Sequence, residues 1–521
     1  MTPLNFAHLI DGIAKATPDR TALLIVDSGQ REQRISYGQL VSQVNRLGGC
    51  LQQLGLGHGD RVFVMMDKSQ WPYLTYLALL KIGAVIIPAS NLLRPDDIMY
   101  RVTRGEARAI ITDEDLIPAI QAIQPQIPQV RHFLATTSGV RSPWLSLPDL
   151  MARRSNTPIT SPVTPDDIAF ISFTSGTTGG PKGVIHTYRW PFEHLKVAAT
   201  LWFDAKPDDI AWATASPGWA KWVWSPFVSV LGNGATGFVY QGRFDAPTYL
   251  TLMEKYQVSL LCATPTEYRL MAKADRLDQY HLNLRSATSA GEPLNREVID
   301  TFIRQFGVTV RDGYGQTENT LLVGTTPDMA VRPGSMGKPF PGLSVAIVDD
   351  QGEKLPVGAT GHIAVHRSHP ALFREYLNEP ERTQAQFRKD WYVTGDQGRM
   401  DADGYIWFEG RSDDIIISSG YTIGPFEVED ALVKHPKVAE CAVVASPDPD
   451  RGHIVKAFVV LRNPADAHIP DLVKQLQDHV KTITAPYKYP RAIEFVTSLP
   501  KTISGKIRRI ELRQQEAERR D

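Results

Sequence analysis

The stretch that most restricts how this chain can fold is Phe173-Thr-Ser-Gly-Thr-Thr-Gly-Gly-Pro-Lys-Gly183. An apolar, β-branched run, Ile168-Ala-Phe-Ile-Ser172, stands immediately before it and reads as a buried strand. The segment after it, His186 to Thr200, can be helical beyond Pro191. The stretch carries hydroxyls at Thr174, Ser175, Thr177 and Thr178, glycines at Gly176, Gly179, Gly180 and Gly183, and one cation, Lys182. Glycine lets a backbone turn tightly and bring its N–H groups against an anion. Hydroxyls donate to phosphate oxygens, and the ammonium adds charge. A loop of this kind between strand and helix predicts a polyphosphate cradle in an α/β protein. It is not the Walker loop: Pro181 separates Gly180 from Lys182, and Gly183 stands where a Mg²⁺-binding hydroxyl belongs. The same composition occurs in flexible linkers, but a linker seldom begins directly behind a buried strand.

The rest of the chain alternates in the same rhythm. Thr21–Val26, Arg61–Met66 and Ala84–Pro88 read as strands, with helices at Tyr37–Leu54 and Trp71–Lys81 between them. A Pro/Thr-rich connection, Ser155 to Asp167, leads to a second α/β stretch ending near Gly324. From Pro333 to Phe408 crowded glycines and prolines separate short alternating runs, which predicts a compact β element. From about Asp414 the pattern is that of a small α+β domain, closed by a charged tail expected to be a frayed, solvated helix.

At 521 residues the chain exceeds one core and predicts at least two domains. A net charge of −1 gives no field to attract nucleic acid or a membrane surface. The most apolar window, Leu74 to Pro88, is too short to cross a bilayer, so no integral membrane segment is expected. The N-terminus has no signal-peptide pattern, and Cys50, Cys262 and Cys441 match no metal spacing. Buried free thiols in a reducing, cytoplasmic compartment follow. His362, His366 and His369 place two imidazoles on one strand face about 13 Å apart by strand rise, too far for a shared metal, and are expected at the surface.

Five further stretches carry chemistry. Ser289-Ala-Gly-Glu-Pro293, with Gly291, Glu292 and Pro293, ends a strand in a glycine turn, a usual ligand position in α/β sheets. Asp312-Gly313-Tyr314-Gly315-Gln316-Thr317-Glu318 offers a flat ring for a purine, a hydroxyl for phosphate and a hard oxygen for Mg²⁺. Tyr392-Val-Thr-Gly-Asp396 supplies a two-oxygen acceptor after a turn. Gly410-Arg411-Ser412-Asp413 stands at a composition boundary and leads to Ser418-Ser-Gly420-Tyr-Thr422. Pro500-Lys-Thr-Ile-Ser-Gly-Lys506-Ile-Arg-Arg509 is a basic C-terminal segment.

Together with the first loop, these stretches resemble, in order and spacing, the adenylate-forming superfamily of acyl- and aryl-CoA synthetases, peptide-synthetase adenylation domains and luciferases. The resemblance implies an α/β N-terminal domain over residues 1–412, made of two α/β subdomains and a β-barrel-like part. It also implies a small mobile α+β C-terminal domain over 413–521. ATP, Mg²⁺ and coenzyme A are the implied cofactors and co-substrates, and a small carboxylic acid is the partner. Adenine would lie against Gly291–Pro293, Asp312, Gly313, Tyr314 and Gln316. Phosphates would meet Thr174, Ser175, Gly176, Thr177, Thr178, Lys182 and Thr317, and Glu318 would take the metal. Asp396 would accept the ribose hydroxyls, and Arg411 would meet the nucleotide. Asp413 is the implied hinge, Gly420 lines the implied pantetheine channel and Lys506 is the adenylating lysine. Thr422 departs from the basic residue that related synthetases usually carry.

The run G-Y-G-Q-T-E with Cys262-Ala-Thr-Pro-Thr-Glu-Tyr-Arg269 looks most like medium-chain acyl-CoA synthetases. Trp219 is expected to line the acyl pocket, and Gly315 to leave it without the floor that a Trp gives acetyl-CoA synthetases. The alternatives are an aryl-CoA ligase acting on a benzoate-like acid and an adenylating enzyme that does not use CoA. The sequence is silent on oligomeric state.

Overall fold

The computed structural model describes residues 5–174, 181–291, 294, 296–411, 414–418, 421–448, 452–484, 486–501 and 506–518. The chain forms two compact units, one of residues 1–343 with 367–385, the other of 344–366 with 386–521.

The first unit is built on two sheets. One runs in the order Trp144–Ser146, His132–Ala135, Ala109–Thr112, Arg61–Met65, Val85–Ala89, Ile168–Thr174, Lys182–Thr187. Its strands are parallel except the last, which folds back antiparallel on Ile168–Thr174. The other carries parallel strands Val310–Gly315, Ser286–Ala290, Leu260–Ala263, Ile210–Ala213, Thr236–Tyr240 and Thr21–Val26 side by side. Leu321–Gly324 and Ser335–Pro339 extend it antiparallel.

Helix Trp71–Lys81 is buried on every side, as its predominantly apolar sequence requires, with Thr75 and Lys81 buried among the apolar residues. Tyr73 and Tyr76 on it meet Trp222 and Phe227 in an aromatic cluster. Its one cation, Lys81, is buried but held by Asp11 at 2.6 Å and Asn45 at 2.7 Å. Helix Tyr37–Gln53 starts at a capping box in which Ser36 accepts from the Gln39 N–H and the Gln39 side chain accepts from the Ser36 N–H.

The segment after Pro191 is helical, but over-wide. Leu195–Phe203 and Val223–Val230 form π-helices, a rare form that recurs at functional sites. Pro226 lies inside the second and has no N–H to give an α-helical ladder.

The second unit opens with an antiparallel meander of Val345–Val348, Thr360–His366, Trp391–Met400 and Ile406–Arg411, with Phe387–Arg388 paired to the third strand. Beyond it come the Ile416–Ser418/Tyr421–Ile423 hairpin and a sheet of Val438–Asp448, Gly452–Leu461 and Ala492–Phe495. Helices Pro425–Val433 and Leu472–Ile483 bring Val428, Leu432, Leu476 and Val480 to Val443 and Val459 in one core. The described part of the tail is not a frayed helix. Arg509–Glu518 buries Leu512 and Glu516, and Glu516 accepts from Lys456 at 2.6 Å and Ser446 at 2.8 Å. Arg509 and Arg513 are paired as well, with Glu429 and Asp414. All three cysteines are buried and free.

Candidate functional site

The glycine-rich loop is spanned by a β-hairpin, not by a strand-to-helix turn. Thr174 and Lys182 face each other across the two strands at its mouth. Ser175, Gly176, Thr177 and Thr178 lie outside the described residues. The alternating run Lys182-Gly-Val-Ile-His-Thr187 suits a strand, and its outer edge is taken by residues 374–377. Arg374 and Leu377 donate to the Ile185 and Gly183 carbonyls at 2.9 and 2.7 Å. That pairing sets Val184 opposite Tyr376.

Tyr376 is fully buried and joins two of the predicted site residues. Its hydroxyl accepts from Lys182 Nζ at 3.2 Å and donates to Glu318 Oε1 at 2.9 Å. Lys182 Nζ also lies 4.6 Å from the centre of the Tyr376 ring and 3.7 Å from the Glu318 carboxylate. Ammonium, phenol and carboxylate thus form one compact cluster. Sequence reasoning missed Tyr376 because no local pattern marks it: it reaches Lys182 across 194 positions.

Glu318 projects from the turn after strand Val310–Gly315. Gln316 donates its backbone N–H to Asn319 Oδ1 at 2.9 Å, closing the turn. Three side chains from the segment after the loop pin it. His186 Nε2 donates to the Thr317 carbonyl at 2.5 Å, and Trp190 Nε1 to the Asn319 carbonyl at 2.7 Å. His194 Nδ1 accepts from the Thr320 hydroxyl at 2.7 Å while its Nε2 donates to the Trp224 carbonyl at 3.0 Å. Burial depresses both imidazoles, His186 to about 4 and His194 to about 3, so both are neutral near pH 7. Each therefore holds the tautomer its carbonyl demands.

Gly315 has a structural reason. A Cβ there would stand 2.2 Å from the Thr320 carbonyl oxygen and 3.0 Å from Leu321 Cα. The direction a side chain would take runs into the returning backbone, so a bulky residue could be seated only by moving the turn. Gly313 is similar, with a Cβ meeting the Trp202 indole at 2.8 Å. Trp202 Nε1 donates to the Asp312 carbonyl at 3.0 Å. Burial pushes the Asp312 carboxyl up to about 7, against the pull of the Gly313 and Leu294 N–H groups. A carboxyl in that range can donate as well as accept. Tyr314 is half-buried beside it. Gly291 follows strand Ser286–Ala290 at φ +106°, open to glycine alone; Glu292 and Pro293 lie outside the described residues. Trp219 is half-buried, unlike Trp222 and Trp224, which enter the core.

In the second unit, strand register sets Asp396 directly opposite Arg411. Asp396 is buried, and its N–H donates to Thr394 Oγ1 at 3.2 Å. Lys506 is exposed next to Ile507, which pairs with Lys501. Asp413 and Gly420 lie outside the described residues, and of Thr422 only the strand Tyr421–Ile423 that holds it is described. Of the three histidines expected at the surface, His362 pairs with Asp350 at 2.8 Å and His366 packs edge-on against Trp391, but His369 is buried and accepts the Ala371 N–H at 2.9 Å.

Among the described residues no group of three His, Cys, Asp or Glu could hold a metal by itself. One carboxylate beside one ammonium suits instead a metal that arrives on phosphates, because Mg²⁺ keeps few protein ligands. A parallel strand that ends in close-approach glycines beside such a cluster suits a nucleotide-handling α/β protein.

The model for the AMP-binding enzyme family matches residues 10–377, and that for the AMP-binding enzyme C-terminal domain matches 427–506. The chain belongs to this adenylate-forming family. It is 54% identical over 519 residues to the uncharacterized acyl-CoA ligase YtcI of Bacillus subtilis, covering 99% of this chain and 97% of the relative. To the mitochondrial acyl-coenzyme A synthetase ACSM3 of Mus musculus it is 41% identical, over 94% of this chain and 86% of that one. The crystal structure of the anthranilate CoA ligase AuaEII with anthranoyl-AMP superposes with a TM-score of 0.90 at 30% identity, covering 99% and 98% of the two chains. The protein is an AMP-forming acid–CoA ligase, with ATP, CoA and a small carboxylic acid as substrates.

Proposed function

We propose that this ligase activates medium-chain fatty acids. The observation that carries the reading is graded similarity: 41% identity to the acyl-coenzyme A synthetase ACSM3 against 30% to the anthranilate ligase. Trp219, half-buried at the start of helix Ala220–Trp222, is the candidate wall of the acyl pocket. Gly315 is the position at which that pocket lacks the floor a Trp would give.

In the first half-reaction the acid's carboxylate attacks the α-phosphorus of ATP and pyrophosphate leaves; in the second the CoA thiol displaces AMP. Lys182 and Thr174, with the hydroxyls of Ser175, Thr177 and Thr178 and the backbone at Gly176, hold phosphate charge, and Thr317 adds a hydroxyl. Glu318 would hold Mg²⁺, which would supply further neutralisation of the leaving pyrophosphate, and the Tyr376 hydroxyl orients the Glu318 carboxylate. Gly291, Glu292, Pro293, Asp312, Gly313, Tyr314 and Gln316 take the adenine. Asp396 accepts from the ribose and Arg411 meets the nucleotide. Lys506 stabilises charge gathering on the α-phosphorus. Residues 413–521 turn about Asp413 to exchange Lys506 for Gly420, which opens room for the pantetheine arm. The reaction runs in the cytoplasm; among the described residues no helix is long and apolar enough to cross a membrane.

The test is a panel of straight-chain acids from acetate to dodecanoate, with benzoate and anthranilate, read as pyrophosphate release with and without CoA. Each added buried methylene is worth about 0.8 kcal/mol. Specificity rising steeply from acetate to a medium-chain optimum supports the reading. A preference for benzoate or anthranilate replaces it with the aryl-acid reading, which the similarity to the anthranilate ligase favours.

A further inference from the structure

We propose that the Arg509–Glu429 ion pair positions Lys506 for the adenylation half-reaction. The inference rests on the reading that Lys506 serves that half-reaction alone. Arg509 opens the terminal helix Arg509–Glu518, three residues after Lys506. Its Nη2 donates to both Glu429 oxygens, at 2.7 and 2.9 Å, and its Nε donates to Oε1 at 3.2 Å. The two side chains are only 11% and 10% exposed. Glu429 Oε1 also accepts the Val443 N–H at 2.7 Å, and the guanidinium lies 4.3 Å from the centre of the Phe426 ring. One carboxylate therefore ties helix Pro425–Val433, strand Val438–Asp448 and the start of the terminal helix together.

The chain is anchored at Pro500–Lys501 before Lys506 and at Ile507–Arg508 after it, while 502–505 lie outside the described residues. Lys501 and Ile507 pair antiparallel, and the Arg508 N–H donates to the Pro500 carbonyl at 2.8 Å. Lys501 also pairs with Glu440 of the Val438–Asp448 strand at 2.7 Å. Further along the helix Arg513 pairs with Asp414, the residue after the proposed hinge Asp413. Lys506 itself is exposed. Its long stem has many rotamers, so where its ammonium can reach depends on where its backbone is held.

A buried ion pair adds little stability over a well-packed apolar pair. What the planar guanidinium fork adds is direction, which a lysine cannot reproduce. A misplacement of about 1 Å in a catalytic group can cost roughly 10²-fold in rate. The role proposed for Arg509 is that of a positioning residue, acting through the backbone of Lys506.

The experiment compares Arg509→Lys, the double variant Glu429→Gln/Arg509→Met and Lys506→Ala with the wild type. Arg509→Lys keeps the charge and loses the fork. The double variant leaves no unpaired buried charge, and the amide oxygen that Glu429→Gln introduces can still accept the Val443 N–H. Adenylate formation from acid and ATP, and thioester formation from supplied acyl-adenylate and CoA, are measured on the same preparations. Both Arg509 variants are expected to lose roughly 10- to 100-fold in the first half-reaction, with the second unchanged. A folding defect of the C-terminal unit would lower both. If Lys506→Ala is selective but the Arg509 variants lower both half-reactions equally, or neither, the positioning role is overturned. If Lys506→Ala itself lowers both equally or neither, the reading of Lys506 fails and takes the inference with it.

Discussion

Tyr376→Phe removes one oxygen from the centre of the site and leaves a ring in place. The ring is fully buried and packs on Phe373 with centroids 4.7 Å apart, so the substitution opens no large cavity. The lost hydroxyl bonds a carboxylate at 2.9 Å and an ammonium at 3.2 Å. Hydrogen bonds to charged groups contribute about 1.5–3 kcal/mol, which corresponds to roughly 10- to 150-fold in an equilibrium constant at 1.36 kcal/mol per decade. Without the phenol, Glu318 loses the contact that fixes its angle. Lys182, already 3.7 Å away, can close directly onto it. A direct pair would take the carboxylate from the proposed metal site and the ammonium from the proposed phosphate site. The half-saturating Mg²⁺ concentration for pyrophosphate release should rise about 10-fold or more, and calorimetric affinity for Mg·ATP should fall in step. Thioester formation from supplied adenylate should change little, and Glu318→Gln should shift the Mg²⁺ titration the same way. An unchanged Mg²⁺ titration with unchanged Mg·ATP affinity would refute the cluster as a metal and phosphate site. A lowered melting temperature with both half-reactions reduced would show Tyr376 to be structural only.

Two further outcomes follow from the turn that carries Glu318. Gly315→Ala places a Cβ 2.2 Å from the Thr320 oxygen, an overpacking expected to cost about 1–3 kcal/mol in urea unfolding; a variant as stable as wild type would show that the turn yields freely. His186 and His194 have folded pKa values below the free histidine value, so the native state keeps its full stability above about pH 6.5 and loses it as pH falls towards 4. By pH 5 each should cost about 2 kcal/mol, and a melting temperature flat from pH 7 to 4 would contradict the buried neutral assignments.

The expectations from sequence and the structure part company at identifiable places. The apolar run before the loop marks a strand because β-branched residues in unbroken succession suit a strand buried on both faces. The helix Trp71–Lys81 and the strands on either side of it were legible for the same reason: composition alone demands burial. The hairpin after the loop was not legible, because a six-residue run such as Lys182–Thr187 fits a strand or a helical start until something takes its edge. Residues 374–377 take it, and nothing near Lys182 announces them. The terminal helix misled for a related reason. Arg509, Arg513 and Glu516 look like a solvated face until Glu429, Asp414 and Lys456 are brought against them.

The sequence by itself determined the chemistry available and its order along the chain: a hydroxyl- and glycine-rich loop, the Asp312–Glu318 run, an acidic acceptor at Asp396 and a terminal lysine. Those are local patterns, set by residue type and spacing. Only the tertiary structure decided which groups meet. It brought Tyr376 between Lys182 and Glu318, and set His186, Trp190 and His194 under the turn that presents Glu318. It also set Gly315 against the returning backbone at Thr320. The physical reason is common to all three. Burial leaves a polar group or a close backbone approach only a few partners, and those partners come from segments tens to hundreds of residues away, where no local spacing records them.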